Sequence, residues 1–432
     1  MKQRGLTILS PIDGSQVQAL DRLLRSVGDD IEHQTLIPFG KLTLLHFASW
    51  LILEDGLHGP ELIFESNFDG DAKDFLRELA EQALSALDQI YGHCTDYALH
   101  GDVDATVRYL LAHVVYTDTF YVSCGGFTAR QIVQENELRN RIEQFLAQLP
   151  PNEDPASVRR SIQQFVANDP NLQWARDPAP SYTLFERMRV RDLVVVLLVI
   201  TGLLGPLALG GKIWGIWLGI VFFVLLTLYG ILRWKESTDS SISNTPVEDS
   251  QPDPKKIEQL VSRENRLPQN HLFSITPVKP GIFRFGLLKV VLALIEFRGR
   301  VTFYKGSLSG IPSIHFARWA MIHNGKHLLF LSNFDGSWEH YLGEFIDQAA
   351  EGLTAVWSNA VNFPRASNLI QGGARDEQRF KDYARGMQLY SQLWYNAYPP
   401  LSVVNIENNA AIRAGLWGEL ESNALDEWLR RF

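Results

Sequence analysis

The chain has 432 residues and a formal net charge of −9, a length that allows two or three domains, each with a core of its own. An acidic chain without a basic stripe excludes the general nucleic-acid binders, so nucleic acid is not expected as a partner. Both cysteines, Cys94 and Cys124, lie in the first half, which excludes a disulfide framework shared along the chain and favours a reducing compartment.

Strand and helix patterns alternate over residues 1–149, the first predicted lobe. In chain order, they predict strand Leu6–Ser10, helix Ser15–Val27, strands Leu42–Glu54 and Glu61–Ser66, helix Ala72–Tyr91, a strand near Val114–Ser123 and helix Ala129–Leu149. In the long strand, alternation places His46, Ala48, Trp50 and Ile52 on one face. The order β-α-β-β-α-β is that of a ferredoxin-like unit.

Two apolar runs follow a polar connector at residues 150–186. Leu193–Leu209 and Ile213–Leu232 each have about the 17–20 residues that cross the hydrocarbon core as a helix. The sequence therefore predicts a transmembrane hairpin of two helices within residues 187–235, with the lipid bilayer as a partner.

Basic residues flank this predicted hairpin at both ends. Three arginines precede the first run, Arg233 and Lys235 follow the second, and Lys212 lies between the runs. Because cytoplasmic flanks carry the excess of Lys and Arg, both termini and both lobes are expected in the cytoplasm. Residues 236–268, rich at their start in Ser, Asp and Pro, are predicted to form a flexible acidic tether.

Residues 269–432 repeat the first lobe. The repeated motifs are His46-Phe47-Ala48-Ser49-Trp50 with His315-Phe316-Ala317-Arg318-Trp319, Ser66-Asn67-Phe68-Asp69-Gly70 with Ser332-Asn333-Phe334-Asp335-Gly336, and Glu135-Asn136…Arg141 with Glu407-Asn408…Arg413. Their offsets are 269, 266 and 272 residues, so the halves are expected to be copies of one fold. The third pair is expected to pack lobe against lobe.

The elements predicted for the second lobe follow the same plan. They are strand Leu272–Thr276, a helix to about Ile295, strands Ile314–Ile322 and His327–Ser332, helices Trp338–Val356 and Asp376–Trp394, and a terminal helix. Its predicted class, like that of the first lobe, is α+β.

The run from a proline-ended first strand through HFAxW to SNFDG resembles bacterial proteins of the dimeric α+β barrel superfamily. It is distantly similar to dye-decolorising-peroxidase-like proteins. The resemblance implies that the two ferredoxin-like lobes pair sheet to sheet as one intramolecular α+β barrel. It also implies haem as a candidate cofactor, because the superfamily includes haem proteins.

The NFDG loop of each lobe has two interpretations. Turn chemistry explains it, because Asn and Asp tolerate left-handed backbone, Gly supplies a positive φ, and Asp71 or Ser337 caps the next helix. The resemblance to the peroxidases instead implies that Asp69 and Asp335 are catalytic acids placed over haem.

Three histidines and two arginines are candidate cofactor-binding residues. Imidazole is a common ligand, so His46, His315 and His340 could hold haem, although strand histidines such as the first two are often packing residues. Arg365 and Arg375 lie in a long loop that also contains glycines and suit a phosphate or a carboxylate. The sequence shows no motif of closely spaced metal ligands, so no metal site is predicted.

Two functions of different classes remain. The missing catalytic constellation favours a membrane-anchored, cytoplasm-facing binding or scaffold protein that holds a small apolar ligand, a lipid or another protein. The FDG loops and the aromatic-rich second lobe favour the alternative, a haem-dependent peroxidase-like oxidoreductase. The sequence leaves the ligand open.

Overall fold

The structure, a computed structural model, describes residues 2–54, 58–98, 101–150, 154–177, 190–239, 252–264, 266–302 and 310–432. The first half contains β1 (Gln3–Pro11), α1 (Val17–Gly28), β2 (Leu45–Glu54), β3 (Pro60–Asp69), α2 (Ala72–Tyr91), α3 (Val103–Ala112), β4 (Val114–Val115), β5 (Thr119–Val122) and α4 (Ala129–Leu146). The strand expected near Val114–Ser123 is therefore two short strands. Asp118 lies between them, and its carboxylate accepts a hydrogen bond from Met321 N at 2.8 Å.

The segment between the halves is largely helical where it is described. It contains α5 (Pro155–Asn168), a 3-10 helix (Pro170–Arg176), α6 (Val190–Leu204), α7 (Gly211–Thr238) and α8 (Pro254–Val261). Helix α7 is long and apolar enough to cross a membrane. Helix α6 has 15 residues, fewer than the roughly 20 that a spanning helix needs. The two-helix hairpin and its orientation therefore stay predictions.

The second half repeats the elements of the first. It contains β6 (Gln269–Pro277), α9 (Ile282–Val301), β7 (Ile314–Ile322), β8 (His327–Asp335), α10 (Trp338–Trp357), β9 (Ala366–Ser367), β10 (Gln371–Gly372), α11 (Glu377–Met387), β11 (Gln388–Leu389), β12 (Leu393–Asn396), α12 (Val403–Leu416) and α13 (Ser422–Leu429). The helix predicted over Asp376–Trp394 is wrong beyond Met387. Leu393–Asn396 is extended because it pairs with β2 of the other half.

Two five-stranded antiparallel sheets form the centre of the fold, which confirms the predicted α+β class. Their strand orders are β12-β2-β3-β1-β4 and β11-β6-β8-β7-β5. Each sheet thus takes four strands from one half and one edge strand from the other. Leu393 pairs with Trp50, and Thr119 pairs with Trp319. This reciprocal exchange interlocks the two halves.

The two halves are equivalent in detail. Helices α2 and α10 start 266 residues apart, and each is interrupted at the same place, at Ala83 and Ala349, both with φ of −132°. The N-caps of α4 and α12, Thr128 and Ser402, lie 274 residues apart. The Glu-Asn…Arg match, offset by 272, is therefore two residues out of register.

The side chains of that third match nevertheless join the halves, as expected. Arg413 Nη1 on α12 donates to Glu135 Oε1 on α4 at 3.1 Å. Both side chains are buried, and Asn409 donates to Asn136 nearby. Helices α4 and α12 thus form a contact between the halves.

Each sheet buries one face under its helices and the other against the opposite sheet. In the first half, Ala48 and Trp50 of β2 belong to the core beneath α2. The alternate residues Leu51 and Leu53 pack on the other sheet. The layer between the sheets contains Leu51, Leu53, Ile63, Phe273, Ala320, Ile322, Leu329 and Leu331. Period-two alternation explains both faces.

The end of α7 is fixed to the second half. The Glu236 carboxylate accepts hydrogen bonds from Leu369 N at 2.7 Å and Asn368 N at 3.0 Å, in a turn where both residues have positive φ. The predicted tether, 236–268, is thus ordered at its start and again in α8. Residues 240–251 of that prediction lie outside the described residues.

Candidate functional site

Each half contains a buried histidine–aspartate pair. A β-bulge at His46 interrupts the register of β2 and β3, and the ring meets Phe316 of the other half edge-on at 5.2 Å. His46 therefore does not share the face of Trp50 that strict alternation predicts. Its Nε2 lies 3.1 Å from Asp69 Oδ1 and its Nδ1 lies 2.9 Å from the Tyr398 hydroxyl.

The aspartates connect these pairs to helices. Asp69 Oδ2 accepts a hydrogen bond from Ala129 N, the first residue of α4, at 2.8 Å. In the second half, Asp335 Oδ1 lies 2.7 Å from His315 Nε2, and Oδ2 accepts from Val403 N, the first residue of α12, at 2.8 Å. A carboxylate there satisfies an open amide and complements the helix dipole. Both aspartates therefore hold the helices that follow the exchanged strands.

Two parts of the turn interpretation of the NFDG loops, the glycine and the cap, are confirmed, whereas the Asn and Asp of each loop are extended residues at the ends of β3 and β8. Gly70 and Gly336 have φ of +86° and +80°, in the region that glycine enters without strain. The side chains of Asp71 and Ser337 cap α2 and α10. A catalytic role for the two loop aspartates stays a prediction.

The structure does not gather the five candidate cofactor residues around one cavity of its described part. Both nitrogens of His46 are bound within the protein, and His315 is buried against its aspartate. His340 is exposed at the start of α10, and Arg365 and Arg375 are exposed on the loop between α10 and α11. These residues do not fit a haem group.

A buried ion pair crosses between the halves where the two copies differ. Arg318 Nη2 of β7 donates to Glu65 Oε2 of β3 at 2.7 Å. Glu65 Oε1 lies 3.4 Å from His271 Nε2 of β6. The equivalent positions in the opposite copies hold Ser49, Leu331 and Gly5. The cluster of Glu65, Arg318 and His271 thus occurs at one of two equivalent places.

Gly5 provides the space for the arginine of this cluster. A Cβ atom at Gly5 would lie 2.5 Å from Arg318 Nη1 and 2.9 Å from the ring of Phe120. Both distances are below normal van der Waals contact. Gly5 in the first copy therefore leaves the space that the Arg318 side chain of the second copy fills. The glycine in one copy and the arginine in the other thus depend on each other.

The carboxylate of this cluster is anionic. Burial raises the pKa of Glu65, but the Arg318 guanidinium and the His271 ring lower it by more, so its pKa lies below the ordinary value of 4.5. Burial lowers the pKa of Arg318, against the opposing effect of Glu65; a guanidinium nevertheless stays charged in proteins. His271 is consequently oriented by a fixed negative charge.

His271 also lines a cleft of about 690 Å³ between the halves. The lining comes from the loop after α1, the end of α8, the start of β6 and the chain around β11 and β12. Its ring side chains include His271, Phe39, Tyr390, Trp394 and Tyr395, and its side-chain amides include Gln269, Asn270 and Asn396. A concave site of this volume, with rings and a few polar groups, is typical of small-ligand sites.

Ser391 extends the cluster along the cleft wall. Its Oγ lies 3.2 Å from His271 Nδ1, so hydroxyl, imidazole and buried carboxylate follow one another. Serine hydrolases use the same three groups, but there the acid contacts Nδ1 and the hydroxyl contacts Nε2, the reverse of this order. An imidazole oriented in this way can accept a proton from Ser391 or from a ligand.

Sequence reasoning missed Glu65, His271, Arg318 and Ser391. A signal was nevertheless present, because HFASW and HFARW differ only at Ser49 and Arg318. An arginine on a strand face that is apolar in the other copy requires a buried partner. Comparing the copies position by position would have led from that arginine to the glutamate.

No protein-family model, curated protein or solved structure matches this chain. The resemblance to the dimeric α+β barrel superfamily therefore receives no support from a known relative.

Proposed function

We propose that this chain is a membrane-anchored binding protein whose cleft holds a small planar ligand. The observation that carries the proposal is the buried cluster that reaches the cleft through His271. Burying an ion pair often contributes no more stability than an apolar pair of similar volume. A cluster present in one copy, where the other has Leu331 and Ser49, is better explained by binding than by folding.

The exposed apolar surface of α7 supports the membrane anchor. Its large exposed side chains include Ile213, Ile216, Trp217, Ile220, Phe222, Phe223, Val224, Leu225, Leu226, Leu228 and Tyr229. Such a surface is unfavourable in water, whereas a core helix of a soluble protein would be buried. Exposed leucines on α6, among them Leu197 and Leu198, favour a second pass. The basic flanks favour a topology with both halves in the cytoplasm.

The strand order supports two ferredoxin-like lobes paired as one α+β barrel. Each half contributes four strands in the antiparallel orders β4-β1-β3-β2 and β11-β6-β8-β7, with two crossover connections, as a βαββαβ unit requires. The sheets pack on each other through an apolar layer. The exchanged strands β5 and β12 would extend the edges of that barrel.

The rings of the cleft favour a planar ligand. Phe39 and Tyr395 stack at 4.1 Å, and the His271 and Trp394 rings lie within 13° of parallel at 6.1 Å. Flat aromatic surfaces bind other rings by offset stacking or edge contacts. A ring with a hydrogen-bonding atom at its edge could in addition exchange a proton or a hydrogen bond with His271.

Saturation-transfer NMR on the purified full chain tests this proposal. The probes are indole, quinoline and adenine, three planar rings that differ in hydrogen-bonding edge. Ser391→Trp places an indole inside the cleft, and Ser422→Trp, on the exposed start of α13, is the control. We expect at least one probe to bind the wild type and Ser422→Trp and to lose its signal in Ser391→Trp.

The opposite pattern would overturn the proposal. If none of the three probes binds, or if Ser391→Trp binds them as the wild type does, the cleft is not a site for planar ligands. Circular dichroism of both variants shows whether the fold is retained. A folded Ser391→Trp variant is required for either conclusion.

The order Ser391, His271, Glu65 favours acyl transfer as a second candidate. Ser391 Oγ would attack an ester carbonyl while its proton passes to His271 Nδ1, and the proton would then protonate the departing alkoxide as an alcohol. A fluorophosphonate probe, followed by peptide mass spectrometry, should label Ser391 in the wild type and not in His271→Ala. Absence of labelling in the wild type would exclude this candidate.

A further inference from the structure

Two hairpins, one from each half, meet and bring three histidines together. His58 follows β2, and His323 and His327 flank the turn between β7 and β8. One ligating nitrogen from each lies within 4.8 Å of the others. His323 Nδ1 and His327 Nδ1 are 3.0 Å apart. The His58 ring stacks on the His323 ring at 3.8 Å, with 14° between their planes.

A carboxylate supports this cluster from behind. Glu61 Oε2 lies 2.8 Å from His323 Nε2. A proton on Nε2 then leaves the lone pair on Nδ1, directed toward His327. Metal-binding histidines commonly donate their second nitrogen to such a carboxylate, which fixes the tautomer and the ring orientation.

The cluster uses the pseudo-symmetry of the fold. Glu61 pairs with Pro11 on the first sheet, and His327 pairs with Pro277 on the second. Glu61 and His327 thus occupy equivalent positions, one as support and one as a ligand. Both side chains are nearly buried, whereas His58 is exposed, so an ion could enter from the His58 side.

The backbone that presents His323 is unusual. His323 and Asn324 have φ of +51° and +55°, followed by Gly325 at +80°. Residues with side chains adopt this region at a cost, and such positions are concentrated at functional sites. A Cβ atom on Gly325 would lie 2.4 Å from the Phe285 ring, so close packing holds the turn. The strained turn presents the His323 ring to its two neighbours.

We propose that His58, His323 and His327 bind a divalent transition-metal ion of the Zn²⁺ class. A Zn–N bond of about 2.0–2.1 Å places two nitrogens of a tetrahedral ion roughly 3.3 Å apart, close to the separation of the two Nδ1 atoms. Imidazole suits Zn²⁺, Cu²⁺ and Ni²⁺. Rotation of the exposed His58 ring completes three ligands, and water takes the fourth position. Because ligands come from both halves, the bound ion joins the two hairpins.

Zn²⁺ titration of the full chain, purified with chelator and then freed of it, tests the proposal. A competing chromophoric chelator measures the affinity, and thermal unfolding measures stabilisation. The wild type should bind about one ion in this site and unfold at a higher temperature with Zn²⁺, as preferential binding to the folded state requires. Co²⁺ should show the visible absorption of a tetrahedral site.

Three variants make the test specific to this cluster. His58→Ala, at an exposed position, should retain the fold and lose the bound ion. Glu61→Gln should weaken binding about 10–100-fold, as the loss of a supporting carboxylate does in other sites. His340→Ala, also exposed, is the control and should bind as the wild type does.

Two results would overturn the proposal. One is a wild-type chain that neither binds Zn²⁺ in competition with the chelator nor gains stability from it. The other is a His58→Ala variant with the same stoichiometry and affinity as the wild type. Neither result bears on the cleft, whose probes and variants are separate.

Discussion

Arg318 Nη2 lies 2.7 Å from Glu65 Oε2, and neither side chain is more than 2% exposed. This ion pair links β7 of the second half to β3 of the first between the two sheets. The opposite copies carry Ser49 and Leu331 at the equivalent positions. The protein thus contains its own uncharged reference for the charged cluster.

Replacing Glu65 and Arg318 by the residues of the other copy tests whether the two side chains stabilise the fold as a pair. Glu65→Leu and Arg318→Ser should each lower the free energy of unfolding by about 3–5 kcal/mol, because each leaves one buried charge without its partner. The double variant, which reproduces the residues of the other copy, should lose much less than the sum. Thermal unfolding of the wild type and the three variants, all as full chains in the same detergent, measures these losses. Additive losses would show that the two side chains do not act as a pair.

The same pair predicts a pH dependence. Burial raises the pKa of Glu65, but the Arg318 guanidinium and the His271 ring together lower it by more, so its pKa in the folded state lies below the ordinary value. The unfolded chain therefore binds the extra proton first as the pH falls, and the pair loses its stabilising effect below the ordinary value of 4.5. The stability advantage of the wild type over Glu65→Gln should be complete near neutral pH and shrink on acidification. An advantage that grows on acidification would contradict this.

Asp69 and Asp335, each paired with a buried histidine, should stabilise the fold. Asp69→Ala and Asp335→Ala each remove a carboxylate that holds a helix N-terminus and a buried histidine. We expect each to cost about 1–3 kcal/mol, from the lost cap and the unsatisfied partner. Asp347→Ala, at an exposed position of α10, should change little. Full stability of Asp69→Ala together with loss of cleft binding would instead assign that residue to function.

Helix α7 should determine membrane attachment. The chain should stay with membranes on alkaline extraction, and Ile220→Arg combined with Val224→Arg should reduce its insertion. Each arginine near the centre of a spanning helix costs about 2.5–3.5 kcal/mol on insertion scales. Replacing two exposed residues of the globular part, Arg22→Ala and Lys41→Ala, provides a control that should remain membrane-bound. Release of the wild type by alkali would contradict the anchor.

Local patterns and the internal repeat predicted much of the fold. The paired central strands, the helices α2 and α10, the positive φ of Gly70 and Gly336 and the caps at Asp71 and Ser337 all follow from short-range periodicity and turn chemistry. Such features depend on neighbours within a few residues. They are therefore visible in a single sequence.

The exchange of strands between the halves was not predictable in this way. Leu393–Asn396 pairs with Phe47–Trp50, several hundred residues earlier, and its aromatic spacing also fits a helix. The three-histidine cluster was not predictable for the same reason, because His58 contacts His323 only when the two halves pack together. The contact between Glu65 and His271 could be predicted only by knowing which faces of the two sheets pack together. Within the repeated HFAxW motif, the difference between Ser49 and Arg318 indicated this asymmetry.

Binding of the tightest planar probe to His271→Gly tests the central claim most directly. The other copy has a glycine, Gly5, at the position equivalent to His271, so the variant carries the residue of that copy. A calorimetric titration compares the Kd of the variant with that of the wild type. A cleft that binds through the asymmetric cluster predicts at least about tenfold weaker binding, equivalent to roughly 1.4 kcal/mol, in a variant that still folds. An unchanged Kd in folded His271→Gly would contradict the account.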